Sequence, residues 1–191
     1  MKNGQSMEPS LEYDEINYND LKHRVKMLAQ KIVEDIPEGE IPLMVCVLKG
    51  AFVFFADLTR DMGDVMIETE FMSVSSYGDE QTSSGVVEIT QDIGVNIAGR
   101  HVILVEDIVD TGLTLNYLRD ILLRREPASL RICVLLDKVA AREVEVPIDY
   151  IGFEIENVFV VGYGLDYAGH YRNHPWISVL KESAYKDTES E

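Results

Sequence analysis

The segment Val102–Leu115 limits the possible folds more than any other part of this sequence. It begins with four apolar residues, Val102–Val105, and runs directly into the carboxylates Glu106, Asp107 and Asp110. A continuous apolar run of this kind predicts a strand that is buried on both faces, as in a parallel sheet covered by helices. Because such sheets bind their ligands at the carboxyl ends of the strands, the three carboxylates lie where a site is expected.

The turn that follows, Thr111-Gly112-Leu113-Thr114, has the composition of a phosphate cradle. It offers unpaired backbone N–H groups and two hydroxyls at the start of a helix, where the helix dipole favours an anion. Gly112 allows a close approach of the backbone and tolerates a positive φ. Carboxylates beside such a site suit a sugar phosphate, because they accept hydrogen bonds from a diol while a divalent cation bridges the phosphate charge. The simpler alternative is an acidic, solvated junction with an Asp helix cap.

The charge of the chain restricts its partners. The 191 residues include 17 Lys and Arg against 34 Asp and Glu, which gives a net charge of −17. A surface this acidic repels nucleic acid and anionic membranes, so we expect neither as a partner. The sequence shows neither a signal-peptide pattern nor a long apolar run, and we expect a cytoplasmic protein. Cys46 and Cys133 lie in apolar runs and are expected to be buried, reduced thiols.

Apolar periodicity predicts strands and helices in alternation along a single domain. Helices are expected from a cap at Asn19 to about Asp35, over Ala51–Arg60, and from Leu115 to before Pro127. Strands are expected at Ile41–Leu48, Val65–Val74, Val86–Ile93, Leu130–Leu136, Tyr150–Glu154, Phe159–Tyr163 and Trp176–Leu180, in addition to the one at Val102. Residues 1–14 and 186–191 are polar and are expected to be disordered.

Several features leave two interpretations open when they are taken alone. The polar run Ser75–Gly85 is either a long hairpin loop or an active-site lid. Lys49 and Lys138 each follow an apolar strand and are either solvated strand ends or ligand-binding cations. Phe159 is in the same way either a core aromatic or a binding-site aromatic.

Five motifs in matching order, between about Ile41 and Glu182, resemble those of the bacterial hypoxanthine/guanine phosphoribosyltransferases. They are LKGAFVFFADL, SSYG, VILVEDIVDTGLTL, LLDK and VGYGLDYAGHYRN. The resemblance implies an α/β fold of the type I phosphoribosyltransferase kind over residues 1–191, with a twisted, mainly parallel sheet flanked by helices. It further implies a small hood, formed by the N-terminal segment and residues of about 155–185, and a flexible flap loop at 75–86.

The activity that this resemblance implies is Mg²⁺-dependent purine salvage. The enzyme would transfer the 5-phosphoribosyl group of phosphoribosyl diphosphate (PRPP) to hypoxanthine or guanine, giving IMP or GMP and pyrophosphate. By analogy with the family we also expect a homodimer or a homotetramer.

The resemblance assigns a role to each matching residue. It implies that Asp110 is the catalytic base. The residues assigned to PRPP are Glu106, Asp107, Thr111, Gly112, Leu113, Thr114, Lys49, Gly50, Ser76, Tyr77 and Arg172. Glu106, Asp107 and Asp166 are the implied Mg²⁺ ligands, and the peptide before Lys49 is often cis in the family.

The implied purine site consists of three residues. Lys138 hydrogen-bonds the 6-oxo group, Phe159 stacks on the ring, and Val160 offers its backbone carbonyl to the base edge. A lysine can only donate hydrogen bonds, so it suits a carbonyl and mismatches the exocyclic amine of adenine.

Two departures and two alternatives accompany this assignment. Leu113, Ser73 and Ser75 stand where some relatives have polar or basic side chains, which predicts weaker phosphate or pyrophosphate contacts. A nucleotide- and RNA-binding regulator on the same fold would need a basic face, which the net charge opposes. An enzyme directed at adenine is disfavoured by Lys138, whereas xanthine remains open.

Overall fold

The computed structural model describes residues 10–76 and 87–185, which form two sheets and three α-helices. The helices are α1 (Tyr18–Asp35), α2 (Phe52–Asp61) and α3 (Leu113–Leu123). The strands are β1 (Leu11–Ile16), β2 (Leu43–Leu48), β3 (Glu68–Ser76), β4 (Val87–Gln91), β5 (His101–Val109), β6 (Ser129–Asp137), β7 (Tyr150–Glu154), β8 (Val160–Val161) and β9 (Ile177–Leu180). Short 3₁₀ turns lie at Val139–Ala141 and Glu182–Ala184.

The larger sheet has the strand order β4-β3-β2-β5-β6-β7. The strands β3, β2, β5, β6 and β7 pair in parallel in that order, and β4 is antiparallel at the edge of the sheet. One apolar cluster fills the side of the sheet that α1 and α2 cover, and a second lies on the side of α3. The predicted strand at Val102–Val105 is confirmed as the buried centre of this sheet, since none of its four residues is more than 4% exposed.

Strand β5 extends further than the apolar run predicts. It passes through Glu106 and Asp107 to Val109, because its ladder with β6 continues to the pair of Val109 with Asp137. The two carboxylates therefore lie near the carboxyl end of a central strand and not on a loop. A strand holds side chains more rigidly than a loop does, which suits them to a binding site.

The smaller sheet joins the two ends of the described chain, with the antiparallel order β1-β9-β8. The expectation of disorder over residues 1–14 is wrong for residues 11–14, which lie in β1. Asp14 accepts hydrogen bonds from the Trp176 indole N–H and the Ser178 hydroxyl, both at 2.8 Å. Residues 1–9 and 186–191 lie outside the described residues.

The start of α1 also differs from the prediction. Its cap is Asn17, whose side-chain oxygen accepts from the backbone N–H groups of Asn19 and Asp20 at 3.0 and 3.1 Å. Asn17 has the extended backbone that a cap requires, while Asn19 already lies inside the helix. Within residues 10–76 and 87–185, every helix is too short or too polar to span a bilayer.

Candidate active site

A cavity of about 380 Å³ lies where the carboxyl ends of the central strands meet the segment after β7. It brings together most of the residues that the sequence singles out. These are Lys49, Gly50, Glu106, Asp107, Asp110, Lys138, Phe159, Val160, Asp166 and Arg172. Apolar residues that sequence reasoning missed complete the lining: Val47, Leu48, Val74, Ile108 and Leu165. They carry no chemical signature, and for Val47, Leu48, Val74 and Ile108 only a position near the end of a strand could have indicated them.

Glu106 and Asp107 form an acidic pair on the cavity wall. The Oε2 atom of Glu106 is inaccessible to solvent and has no hydrogen-bond partner among the described residues. Asp107 is 9% exposed and accepts a hydrogen bond from the backbone N–H of Ile108 at 2.8 Å. Burial, and then the charge of Asp107, raise the pKa of Glu106 well above its usual range. Burial also raises the pKa of Asp107, although the charge of Arg172 opposes this shift.

The turn after β2 lies directly against this acidic pair. The peptide bond between Leu48 and Lys49 is cis, as the resemblance implies. A Cβ atom added to Gly50 would lie 1.5 Å from Oδ2 of Asp107, so only glycine allows this approach. A Cβ atom added to Gly164 would in turn lie 2.1 Å from the carbonyl oxygen of Gly50. Gly50 and Gly164 therefore allow close contact between the turn after β2, the end of β5 and the segment after β8.

The predicted phosphate cradle forms the start of α3. Gly112 has a φ of +85° and occupies the helix cap, where it has no side chain that could cap the helix by a hydrogen bond. The backbone N–H groups of the first turn therefore remain available to an anion, apart from a long contact of 3.4 Å between the Leu113 N–H and the Thr111 hydroxyl. Thr114 lies in the same first turn of the helix.

Asp110 and Lys138 are an ion pair across the cavity. The Nζ atom of Lys138 donates to Oδ2 of Asp110 at 3.0 Å. The backbone N–H of Lys138 donates to the carbonyl of Val109, which ties the lysine to the end of β5. Lys138 is therefore not a solvated strand end, because it is only 7% exposed.

The segment after β7 brings the aromatic and cationic groups. Val160 is buried, and Phe159 lines the cavity while its ring stacks on Tyr185 at 5.0 Å and meets the edge of Tyr167 at 5.7 Å. Phe159 thus belongs to an aromatic cluster and also borders the cavity. Its role in stacking on a purine remains a prediction.

Asp166 and Arg172 pair with each other in the same segment. The guanidinium of Arg172 lies 2.7 Å from Oδ1 of Asp166, and it donates to the carbonyl of Gly164 at 2.7 Å. Asp166 also accepts from the backbone N–H of Gly169. Within the described residues, no three His, Cys, Asp or Glu side chains are grouped to hold a metal ion. Asp166, the predicted third Mg²⁺ ligand, pairs with the guanidinium of Arg172. Of the three predicted ligands, Glu106 and Asp107 remain without such a pair.

Most of the predicted flap lies outside the described residues. Ser76 is the last residue of β3, and Tyr77 and the rest of the loop to residue 86 lie outside the described residues. Ser73 pairs in the ladder with Leu48, beside the cavity.

Comparison with known proteins decides the family. The model of the phosphoribosyl transferase domain matches residues 12–168 of this chain. The chain belongs to the phosphoribosyl transferase family. A hypoxanthine phosphoribosyltransferase of Haemophilus influenzae is 49% identical over 171 residues, which are 87% of this chain and 95% of the relative. A hypoxanthine-guanine phosphoribosyltransferase of Dictyostelium discoideum is 46% identical over 169 residues, which are 87% of this chain and 94% of that protein.

The phosphoribosyl transferase fold is confirmed by solved structures. A hypoxanthine phosphoribosyltransferase of Staphylococcus aureus superposes with a TM-score of 0.89 at 36% identity, and the match covers 96% of this chain and 99% of that one. The predicted α/β class, with a mainly parallel sheet flanked by helices, therefore holds.

Proposed function

We propose that this phosphoribosyl transferase family member transfers the 5-phosphoribosyl group of PRPP to hypoxanthine and guanine in purine salvage. The products are IMP or GMP and pyrophosphate. The observation that supports this most strongly is one cavity that holds the Lys138–Asp110 pair and an acidic pair without an ion-pair partner among the described residues, next to the start of α3. The names of the relatives support the same substrates.

The acidic pair suits the ribose. Glu106 and Asp107 can accept hydrogen bonds from the 2′- and 3′-hydroxyls, since ionised carboxylates are pure acceptors. The free N–H groups and hydroxyls of Thr111–Thr114 bind the 5′-phosphate at the positive end of α3. The sugar phosphate is thereby held at both ends beside the purine site, which supplies the orientation that the reaction needs.

Cationic groups suit the leaving diphosphate. Arg172, Lys49 and Gly50 line the same cavity. As the bond to the anomeric carbon breaks, negative charge develops on the diphosphate and positive charge on the ribose. Fixed hydrogen-bond donors stabilise the negative charge on the diphosphate, and the acidic pair stabilises the positive charge on the ribose.

The purine end is served by the ion pair. Lys138 has three N–H donors and can give one to a 6-oxo group while it still holds Asp110. Asp110 accepts the proton that the purine imidazole nitrogen loses on bond formation, and so acts as the general base. Phe159 and the backbone carbonyl of Val160 border the same space and orient the ring.

The donor set also fits Mg²⁺. This ion takes oxygen ligands and is commonly bound through one or two carboxylates together with substrate phosphates, which matches Glu106 and Asp107 with the unpartnered Oε2 atom. When bound, Mg²⁺ would neutralise charge on the diphosphate. Asp166 is the third ligand that the resemblance implies, and in the free protein it pairs with Arg172.

A homodimer or homotetramer and a cytoplasmic location complete the proposal. The location is supported by Cys46 and Cys133, which are free and buried, as in a reducing compartment.

The test is to incubate the purified protein with PRPP, MgCl₂ and one purine at a time: hypoxanthine, guanine, xanthine or adenine. We expect pyrophosphate release with hypoxanthine and guanine, none with adenine, and none when EDTA is added. Binding of PRPP without turnover of any purine would contradict the proposal and indicate a ligand-binding regulator.

A further inference from the structure

A segment outside the cavity braces the phosphate cradle. The carbonyl oxygen of Thr111 accepts two hydrogen bonds, from the backbone N–H groups of Glu143 at 2.9 Å and Val144 at 3.1 Å. The same segment also touches Gly112, where an added Cβ atom would lie 2.6 Å from the carbonyl oxygen of Val144. Thr111 and Gly112 are thus in contact with Glu143 and Val144, which lie about thirty positions later in the chain.

The bracing segment is itself anchored by Arg142. Its guanidinium donates to Oδ1 of Asp137 through Nη2 at 2.8 Å and Nε at 3.2 Å. Both side chains are shielded from solvent, with 15% exposure for Arg142 and 5% for Asp137. A shielded pair of this kind is held more firmly than a surface ion pair, because water does not compete for it.

Asp137 gives this anchor a rigid base. It is the last residue of β6, and its ladder partners are Val109 of β5 and Glu154 of β7. The line of contact therefore runs from the central sheet through Asp137 and Arg142 to Glu143 and Val144, and from these to Thr111. Each step is a hydrogen bond or a covalent neighbour.

We propose that Arg142 is a positioning residue for the 5′-phosphate site, acting through Glu143 and Val144 on the backbone of Thr111 and Gly112. The inference rests on the proposed function, because it assigns the cradle to the phosphate of PRPP. Arg142 does not itself line the cavity. Its effect is therefore on the placement of the cradle and not on the reacting atoms.

The anchor acts on the phosphate end selectively. Lys138, next to Asp137 in the chain, is held by its own bonds: its N–H to the carbonyl of Val109 and its ammonium to Asp110. Loss of Arg142 leaves these bonds in place. The affinity of the site for the purine should then stay unchanged, while its affinity for the 5′-phosphate falls.

The test compares Arg142→Ala with the intact protein in two assays. In steady-state kinetics we expect the KM for PRPP to rise about tenfold, as a small displacement of a positioning group produces, while the KM for hypoxanthine changes less than twofold. In calorimetry, binding of ribose 5-phosphate should weaken by a similar factor. The second assay needs no turnover, so it tests the brace even if the proposed transfer activity fails.

Arg125→Ala is the matched control. Arg125 pairs with Asp92 through two bonds of 2.9 and 2.7 Å in a more exposed place away from the cavity, and its loss should leave both assays unchanged. If Arg142→Ala does not fold, Arg142→Lys replaces it, with an expected intermediate weakening. Unchanged ribose 5-phosphate affinity in a folded Arg142 variant, or an equal loss for hypoxanthine, overturns the inference.

Discussion

The ammonium of Lys138 lies 3.0 Å from the carboxylate of Asp110, so the group proposed to read the purine and the group proposed to take its proton are one ion pair. The two partners differ in exposure: the Lys138 side chain is 9% exposed and that of Asp110 is 50% exposed. The lysine is thus fixed in the wall, while the carboxylate faces the open cavity. A purine that binds beside the pair can meet both groups at neighbouring edges of its ring.

Replacing the base should slow turnover and spare PRPP. For Asp110→Asn we expect kcat to fall by about 10²-fold or more, because the amide accepts no proton from the purine. The Kd for PRPP should change less than threefold, since the cradle and the acidic pair are untouched. Pre-steady-state turnover and calorimetry with PRPP measure the two quantities. A near-normal kcat would refute the assignment of Asp110.

Removing the ammonium group of Lys138 should reduce the catalytic efficiency with 6-oxopurines. For Lys138→Met we expect kcat/KM with hypoxanthine to fall about 10- to 100-fold, the value of one hydrogen bond to a charged donor. Lys31→Met is a suitable control, since it also removes an ion-paired lysine, but from the exposed face of α1. Competition between hypoxanthine and adenine gives the readout, and an unchanged preference would exclude Lys138 from the purine site.

Local sequence patterns predicted the parts of the fold that depend on nearby residues. The apolar run of β5 and the helical spacing in α1 identify buried faces, because burial repeats with the period of the element. Strand β1 escaped detection because residues 12–14 are exposed and two of them are acidic, and its order depends on β9, which follows about 160 residues later. The brace on Thr111 was also missed, since a backbone hydrogen bond leaves no trace in side-chain identity.

The same distinction applies to the site. Lys49, Glu106 and Lys138 each follow an apolar run of the sequence, and parallel strands bring their carboxyl ends together, so their meeting could be predicted. The pairing of Asp166 with Arg172 could not, because it depends on how the chain folds back between two residues of opposite charge. Ser76 and Tyr77 remain predictions.

A methyl group on Gly50 should disrupt the acidic pair. In Gly50→Ala the new Cβ atom would lie 1.5 Å from Oδ2 of Asp107, so the carboxylate or the turn must move. We expect PRPP affinity to fall by about 10-fold or more, the effect of displacing a positioned group by about 1 Å. Gly94→Ala is the control, because a Cβ atom there meets nothing within 4 Å. Equal PRPP affinity in the two variants would show that the contact has no role in binding.

Neutralising Glu106 should stabilise the free protein at neutral and alkaline pH. Burial and Asp107 raise the pKa of Glu106, so the folded state binds this proton more tightly than the unfolded chain. Stability from this group is therefore present at low pH and is lost as the pH rises through the raised pKa. At pH 8 we expect Glu106→Gln to raise the Tm by a few degrees, about 2–4 °C per kcal/mol, with the gain shrinking towards pH 5. Glu40→Gln, which removes one exposed charge, corrects for the net charge of −17. Calorimetric melting from pH 5 to 8 measures this difference, and a Glu106→Gln gain that is the same at every pH would show that the buried charge is not its cause.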